Sequence, residues 1–320
     1  MRLLPQYNRN HSLLLFTASF VLCASSQAAM IVSNVSDGTI KTYDQTSGAY
    51  QATIVSSGRQ FSGVAVDGGG DIWVVQYGFN SNSLAEYNQA GTLLRQVASP
   101  NGDLLGELAI GPDGYLYATD FAANQIDKFD ITNNAYVSAF GASYFPHITG
   151  ETFIRGVAFT PNGSLVTINN STYAVEEFNP TTGAHIATLD AGYLTQGDSL
   201  AVSAAGNIYV GDFYGGLTEY DSSGTKIQSA TVGVSGFDPI TGVAFGPDGS
   251  LYVADSWNAK GILKVNPQTL AETAFAQPGT EVAGLAWSST GESAGAPEPS
   301  TFLLFGGAAA LLRRRLGRRA

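Results

Sequence analysis

The stretch "GPDGYLYATD" (111–120) returns almost unchanged as "GPDGSLYVAD" (246–255), 135 positions further on. That interval is three steps of about 45, a length at which sheet-building repeats recur, and weaker copies fill it. "GVAVDGGGDIWVVQ" starts at 63, "ELAIGPDGYLYATD" at 107, "GVAFTPNGSLVTIN" at 156, "SLAVSAAGNIYVGD" at 199 and "GVAFGPDGSLYVAD" at 242. A sixth start, "GLAWSSTGE" at 284, breaks off before its second apolar run. Later in each complete unit an apolar residue is followed by Asp or Asn: Tyr87-Asn88, Phe129-Asp130, Phe178-Asn179, Tyr220-Asp221 and Val265-Asn266.

The sixth unit lacks this anchor, and the missing part lies at the other end of the chain. "MIVSNVSDGTIKTYDQTSGAYQATIV" (30–55) supplies a second run, the anchor Tyr43-Asp44 and a last strand, but no first strand. Six starts and six anchors make six units, one of them shared by the termini. A ring of sheets is held shut when one blade joins both chain ends by backbone hydrogen bonds, so the strand near Trp287 is expected beside the one near Val32.

Local signals agree on β structure. "DIWVVQ", "YLYATD" and "SLYVAD" are short apolar runs rich in aromatic and β-branched residues, and the repeats carry no helical spacing. Between runs stand "DGGG", "GPDG", "TPNG", "SAAG" and "DSSG", where Gly takes positive φ and Asp or Asn bonds its own backbone. The expectation is an all-β, six-bladed β-propeller with four strands per blade, for example at 243–246, 251–254, 261–265 and 270–275, the last blade closed by both termini.

The chain ends carry separate signals. Arg2 and Arg9, the apolar "LLLFTASFVLCA" and the small residues Ser26 and Ala28 form a secretory signal peptide over 1–28, with cleavage expected after Ala28. Cys23, the only cysteine, leaves with it. The propeller then spans 29–290 and a short linker 291–296. The remainder, "PEPSTFLLFGGAAALLRRRLGRRA" (297–320), has a twelve-residue apolar stretch, short of the roughly 20 residues a spanning helix needs. Pro297-Glu298-Pro299, that apolar segment and the arginines Arg313, Arg314, Arg315, Arg318 and Arg319 resemble the PEP-CTERM sorting signal. The resemblance implies an exported protein of an exopolysaccharide-producing Gram-negative bacterium, with an exosortase-type enzyme as processing partner. The arginines stay on the cytoplasmic side, so a transient stay in the inner membrane precedes the cell surface or the extracellular matrix.

Without both signals, residues 29–296 hold 8 Lys or Arg against 25 Asp or Glu, a net charge of −17. Such a chain repels phosphate backbones, and no nucleic-acid partner is expected.

The repeats "PDGSLYVAD" and "GVAFGPDG" resemble NHL-type propellers and, more loosely, the gluconolactonase and senescence marker protein superfamily. In those lactonases a divalent cation sits in the central channel, held by side chains of the innermost strands. The matching positions here are Ser62, Gly106, Arg155, Asp198, Thr241 and Ala283. Among these, Asp198 is the one hard anionic ligand, with Glu107 and Glu281 slightly off register; calcium wants six to eight oxygens. Asp198 thus reads either as a ligand for calcium or another divalent cation in a lactonase-type hydrolase, or as the partner of Arg155 or a loop backbone, with no cofactor. A second ring, Asn34, Gln76, Asp120, Asn169, Asp212 and Asp255, closes each second strand, as a collar of oxygens or as a turn device.

Aromatic residues follow that ring: Tyr77, Phe79, Phe121, Tyr173, Phe213, Tyr214 and Trp257. They either stack on the flat faces of sugars or pack between blades. The insert 141–154 adds Tyr144, Phe145 and His147. No Gly-x-Ser-x-Gly elbow, phosphate loop, dinucleotide fingerprint or zinc spacing is present. His185, at a turn, reads as a packed or solvated histidine. Two functional classes follow: a non-catalytic propeller binding a polysaccharide or surface protein, or the metal-dependent hydrolase.

Overall fold

The computed structural model describes residues 28–77, 82–99, 105–145, 154–191, 194, 196–233, 239–255 and 261–288. Among them, six antiparallel sheets of four strands form a ring. The inner strands are Phe61–Val66, Leu105–Ile110, Ile154–Phe159, Gly197–Val202, Ile240–Phe245 and Val282–Trp287, each packed against the next around the channel. Blades two to six cover 61–98, 105–140, 154–191, 197–231 and 240–276.

Blade one is the shared one. Its sheet runs Val282–Trp287, Ala29–Asn34, Thr39–Asp44, Tyr50–Ser56 from the channel outward. Met30 pairs with Trp287 and Val32 with Leu285, so the ends of the chain meet as the repeat count requires.

Alternation along a strand has an unusual meaning here, because both faces of each sheet are covered by neighbouring blades. Met30 and Val32 pack toward blade six, with Tyr252 and Ile262. Ile31, between them, packs toward blade two, with Phe61 and Val64. Side chains of period two thus serve two interfaces, and second strands such as Ile72–Gln76 and Leu116–Asp120 are buried throughout. One apolar cluster lies between each pair of adjacent blades. Outer strands alternate with water, as Tyr50–Ser56 does.

The anchor residues close the turns between third and outer strands. In all six blades the side-chain oxygen accepts backbone N–H groups two to four residues on, at 2.8–3.1 Å, from Asp44 through Asn88, Asp130, Asn179 and Asp221 to Asn266. The near-identical decapeptides have their own reason. Asp113 accepts the Tyr117 hydroxyl at 2.8 Å and Lys128 Nζ at 2.7 Å, while Asp248 accepts the Tyr252 hydroxyl at 3.2 Å and Lys264 Nζ at 2.6 Å. The turn Asp, the second-strand Tyr and a third-strand Lys form one clamp, used twice.

Inner strands are longer than the apolar run suggested: Ile240–Phe245 rather than 243–246. Each contains a β-bulge, which breaks the periodic pattern. The 1–27 and 289–320 segments, with the signal peptide core, linker and sorting motif, lie outside the described residues, as does Trp257. No helix among the described residues is long and apolar enough to cross a membrane.

Candidate functional site

The bulges lie at one level of the ring. Strand register slips by one residue between Phe61 and Val64, Leu105 and Leu108, Arg155 and Val157, Gly197 and Ser199, Ile240 and Gly242, and opposite Ser33 and Asn34 on the closing blade. The residues skipped by the register are Asp198, Thr241, Ala283 and, next to Arg155, Gly156, with one residue of Ser62–Gly63 and one of Gly106–Glu107, so the bulges lie at or beside the ring that sequence register placed in the channel. A bulge bends its strand and re-aims its side chains.

What these side chains do is join blades. Ser33 Oγ donates to Ser62 O at 2.8 Å, Ser62 Oγ to Gly106 O at 3.1 Å, and Thr241 Oγ1 to Val282 O at 2.7 Å. Val243 N donates to Ser199 Oγ at 3.0 Å. Between blades three and four the Arg155 guanidinium lies 4.3 Å over the Phe121 ring, and between four and five its Nη1 stands 3.4 Å from Asp198 Oδ1. Every blade boundary therefore carries a polar or cation–π contact at this level.

Two candidates separate here. Glu107 reaches across the channel and hydrogen-bonds Ser199 of blade five, beside Asp198 and Arg155. Burial pushes the Glu107 carboxyl up to about 8; the Asp198 charge adds to this, and the Ser199 hydroxyl and Arg155 oppose it. The side chain still touches the channel lumen, although protein surrounds it. At neutral pH it holds its proton, with the Ser199 hydroxyl donating to it. Asp198 is also shifted up by burial, with Arg155 acting against that. Glu281 is not part of the group: it precedes the inner strand of blade one, across the ring from Arg155, with its carbonyl bonded to Val35 N at 3.0 Å.

This donor set does not fit a divalent cation. Asp198 faces a guanidinium, and the Ser62 and Thr241 hydroxyls donate to carbonyl oxygens; six to eight free oxygens are not gathered here among the described residues.

In blades three, four and five the second ring works as a turn device, whereas Asn34 donates Nδ2 to Thr39 O at 3.2 Å and accepts the Thr280 hydroxyl at 2.8 Å. Asp120 Oδ1 accepts Ala122 N and Ala123 N, Asn169 Oδ1 accepts Ser171 N, and Asp212 Oδ1 accepts Tyr214 N and Gly216 N, at 2.7–3.1 Å. Gln76 departs from the pattern and accepts Gln96 Nε2 at 2.7 Å.

The aromatic candidates divide by burial. Tyr77 packs between blades two and three, its hydroxyl donating to Leu105 O at 3.1 Å, and Phe121 packs between three and four under Arg155. Phe213 is half-buried. Tyr173 and Tyr214 are 47% and 49% exposed, on equivalent turns of neighbouring blades. Tyr173 has φ +55°, and the same position before a third strand holds Gly38, Asn124 and Gly215 elsewhere, at +61°, +50° and +79°. A tyrosine in a left-handed slot used otherwise by Gly and Asn is out of place for backbone reasons. His185 is packed: it stacks on Tyr144 with centroids 4.2 Å apart and bonds Glu176 Oε2 at 2.8 Å.

Sequence reading missed one group, because it assembles from a turn and three strands. Asp67, Asp71 and Glu86 bring one oxygen each within 4.8 Å of one another. Glu86 is fully buried and held by both Arg95 Nη2, at 2.9 Å, and Arg95 Nε. Asp67 accepts the Trp73 indole N–H at 3.1 Å. Trp73 and Glu86 stand where Tyr117 and Lys128 stand in blade three, but the third-strand residue here is an acid held by an outer-strand arginine instead of a lysine held by the turn acid.

The sequence matches no family model and no curated protein. Solved structures are similar in fold. A chain of a nidogen–laminin complex aligns at TM-score 0.66 and 14% identity, over 83% of this chain and 100% of that one. A protein of unknown function from Bacteroides caccae aligns at 0.62 and 14%, over 82% and 100%. Virginiamycin B lyase from Staphylococcus aureus aligns at 0.54 and 14%, over 78% and 75%. At such identities the likeness concerns the propeller itself.

Proposed function

We propose that this chain is an exported, non-catalytic binding propeller of the cell surface or exopolysaccharide matrix, exported by its leader and sorted through its PEP-CTERM-like tail by an exosortase-type enzyme. The observation that carries the reading is the division of labour on one face. Polar groups at the channel mouth are engaged in joining blades, whereas Tyr173 and Tyr214 stand exposed on adjacent turns, the former against backbone preference. Exposed tyrosines offer an apolar ring with a polar edge, the surface that sugar rings stack upon. Backbone strain retained at an exposed position is a mark of function. Phe213 and Trp257 extend the same set of turns in sequence.

The test is affinity electrophoresis of the exported protein through polysaccharide from the producing cells. Wild type should be retarded, and the double variant Tyr173→Ala, Tyr214→Ala should bind at least about tenfold more weakly, as expected for central aromatic contacts. Equal retardation of both proteins, or none of either, refutes the reading.

A further inference from the structure

The channel also contains a cavity of about 510 Å³, within the roughly 300–1,000 Å³ of small-molecule sites. It runs from Glu107 and Ser199 at the bulge level to turn residues Gly68, Gly111, Pro112 and Gly114 on the opposite face from Tyr173. Its wall is a property of the repeat. The third residue of every unit start is alanine, from Ala65 to Ala286, and the residues beside these alanines are aliphatic or aromatic, ending in Phe159, Phe245 and Trp287.

The polar groups on this wall are hydrogen-bond donors. Ser199 Oγ already accepts Val243 N–H, so its own proton turns to the Glu107 carboxyl, and the acid proton of Glu107 stays available to the lumen. At the apolar end the Trp287 ring forms part of the wall, while its Nε1–H is closed off from the lumen and has no protein acceptor. A wall of alkyl groups with one acid donor, Glu107, suits an uncharged molecule carrying an oxygen acceptor. A carboxylate or phosphate would enter a strongly acidic protein, and a cation would lose its hydration among alkyl groups.

We propose that the channel cavity is a binding site for a neutral amphiphile of the ketone, ester or lactone class, its apolar body among the alanine and aromatic rings and its carbonyl oxygen accepting from Glu107. This site is separate from the exposed tyrosines and does not depend on them.

Prodan, a neutral naphthyl ketone whose emission moves to the blue in apolar surroundings, is the probe. Titrated into the purified full chain, it should give saturable blue-shifted emission with energy transfer from tryptophan. Ala244→Phe, which puts a ring into the lumen, should weaken binding at least about tenfold, and Glu107→Leu by about three- to tenfold, the value of one hydrogen bond. Glu107→Gln keeps a donor and should stay near wild type. The Tyr173→Ala, Tyr214→Ala protein should bind prodan normally, which separates this site from the proposed polysaccharide face. The proposal is overturned by the absence of saturable binding, or by wild-type binding in Ala244→Phe with an unchanged melting temperature. If Ala244→Phe does not fold, wild-type binding by Glu107→Leu overturns it instead.

Discussion

Met30 is the antiparallel partner of Trp287, so a residue from the start of the chain and one from 257 positions later share a sheet. The register extends outward: Ala29 N donates to Ser288 Oγ at 2.7 Å, and Ser288 N donates to Ala29 O at 2.9 Å. Cleavage after Ala28 leaves this closure whole, whereas a cut two residues later removes Met30 from the core between blades one and six. Mass spectrometry of the exported protein should place its first residue at Ala29. Val32 pairs on both sides, with Leu285 and Lys41, so Val32→Pro should cost about 3 kcal/mol or more. Leu93→Ser, on an exposed outer strand, should change stability by no more than about 0.5 kcal/mol. Equal urea midpoints for the two variants would show that closure does not hold the ring.

Glu107 gives stability a pH dependence whose sign is fixed by its shift. The folded carboxyl titrates at about 8 against an ordinary 4.5, so between those values the folded state holds a proton that the unfolded state has lost. Stability contributed by this group is full below about 4.5, falls as pH rises, and is lost above about 8. Asp198 and Arg155 face the same carboxyl and stay in place in Glu107→Gln, so subtracting the variant's denaturation curve from that of wild type isolates Glu107. The difference should slope downward with pH across this window. A flat difference would mean that Glu107 is ionised in the fold.

The sixfold ring and its closure are legible because they are matters of spacing: a repeat of fixed length with one unit divided between the ends has one compact solution. Anchors such as Asp44 and Asn266 are legible as turn residues for the same local reason. The bulges are not, since a bulge is a slip between two strands and leaves no residue type behind. They lengthen Ile240–Phe245 beyond its apolar run. Asp198 with Arg155 could be foreseen as one of two possibilities, being neighbours in the ring. Glu107 with Ser199 spans two blades across the channel, and Glu86 meets Asp67 through a turn and a third strand; neither pairing has a periodicity to read.

The clamp in the repeated decapeptide should differ in strength between its two copies. Asp113 and Lys128 have side chains 29% and 11% exposed, whereas Asp248 and Lys264 are 43% and 36% exposed. Removing the first acid leaves a nearly buried ammonium above the Tyr115 and Tyr117 rings with the weaker bond to Pro180 O at 3.4 Å, an oxygen that the Tyr117 hydroxyl also retains at 3.2 Å. Asp113→Ala should therefore cost about 1–3 kcal/mol, and Asp248→Ala, in a solvated pair, about 1 kcal/mol or less. Urea denaturation of both variants checks the order. The reverse order would show that burial does not set the strength of the clamp.

Tyr173 sets stability against binding. An L-residue in the left-handed region costs about 1–2 kcal/mol, and glycine, which removes that cost, gives back about 0.5–1 kcal/mol through its freer unfolded chain. Tyr173→Gly should thus leave stability unchanged or raise it by up to about 1 kcal/mol, matching the chain's own choice at Gly38 and Gly215. Tyr173→Val, β-branched at φ +55°, should lower stability by about 1 kcal/mol. If the ring is kept for contact with polysaccharide, Tyr173→Gly is the informative protein: at least as stable as wild type in urea, yet weaker in affinity electrophoresis. A Tyr173→Gly protein that is clearly less stable would instead assign the side chain a packing role on its own turn, and the exposed face would lose its main argument for binding.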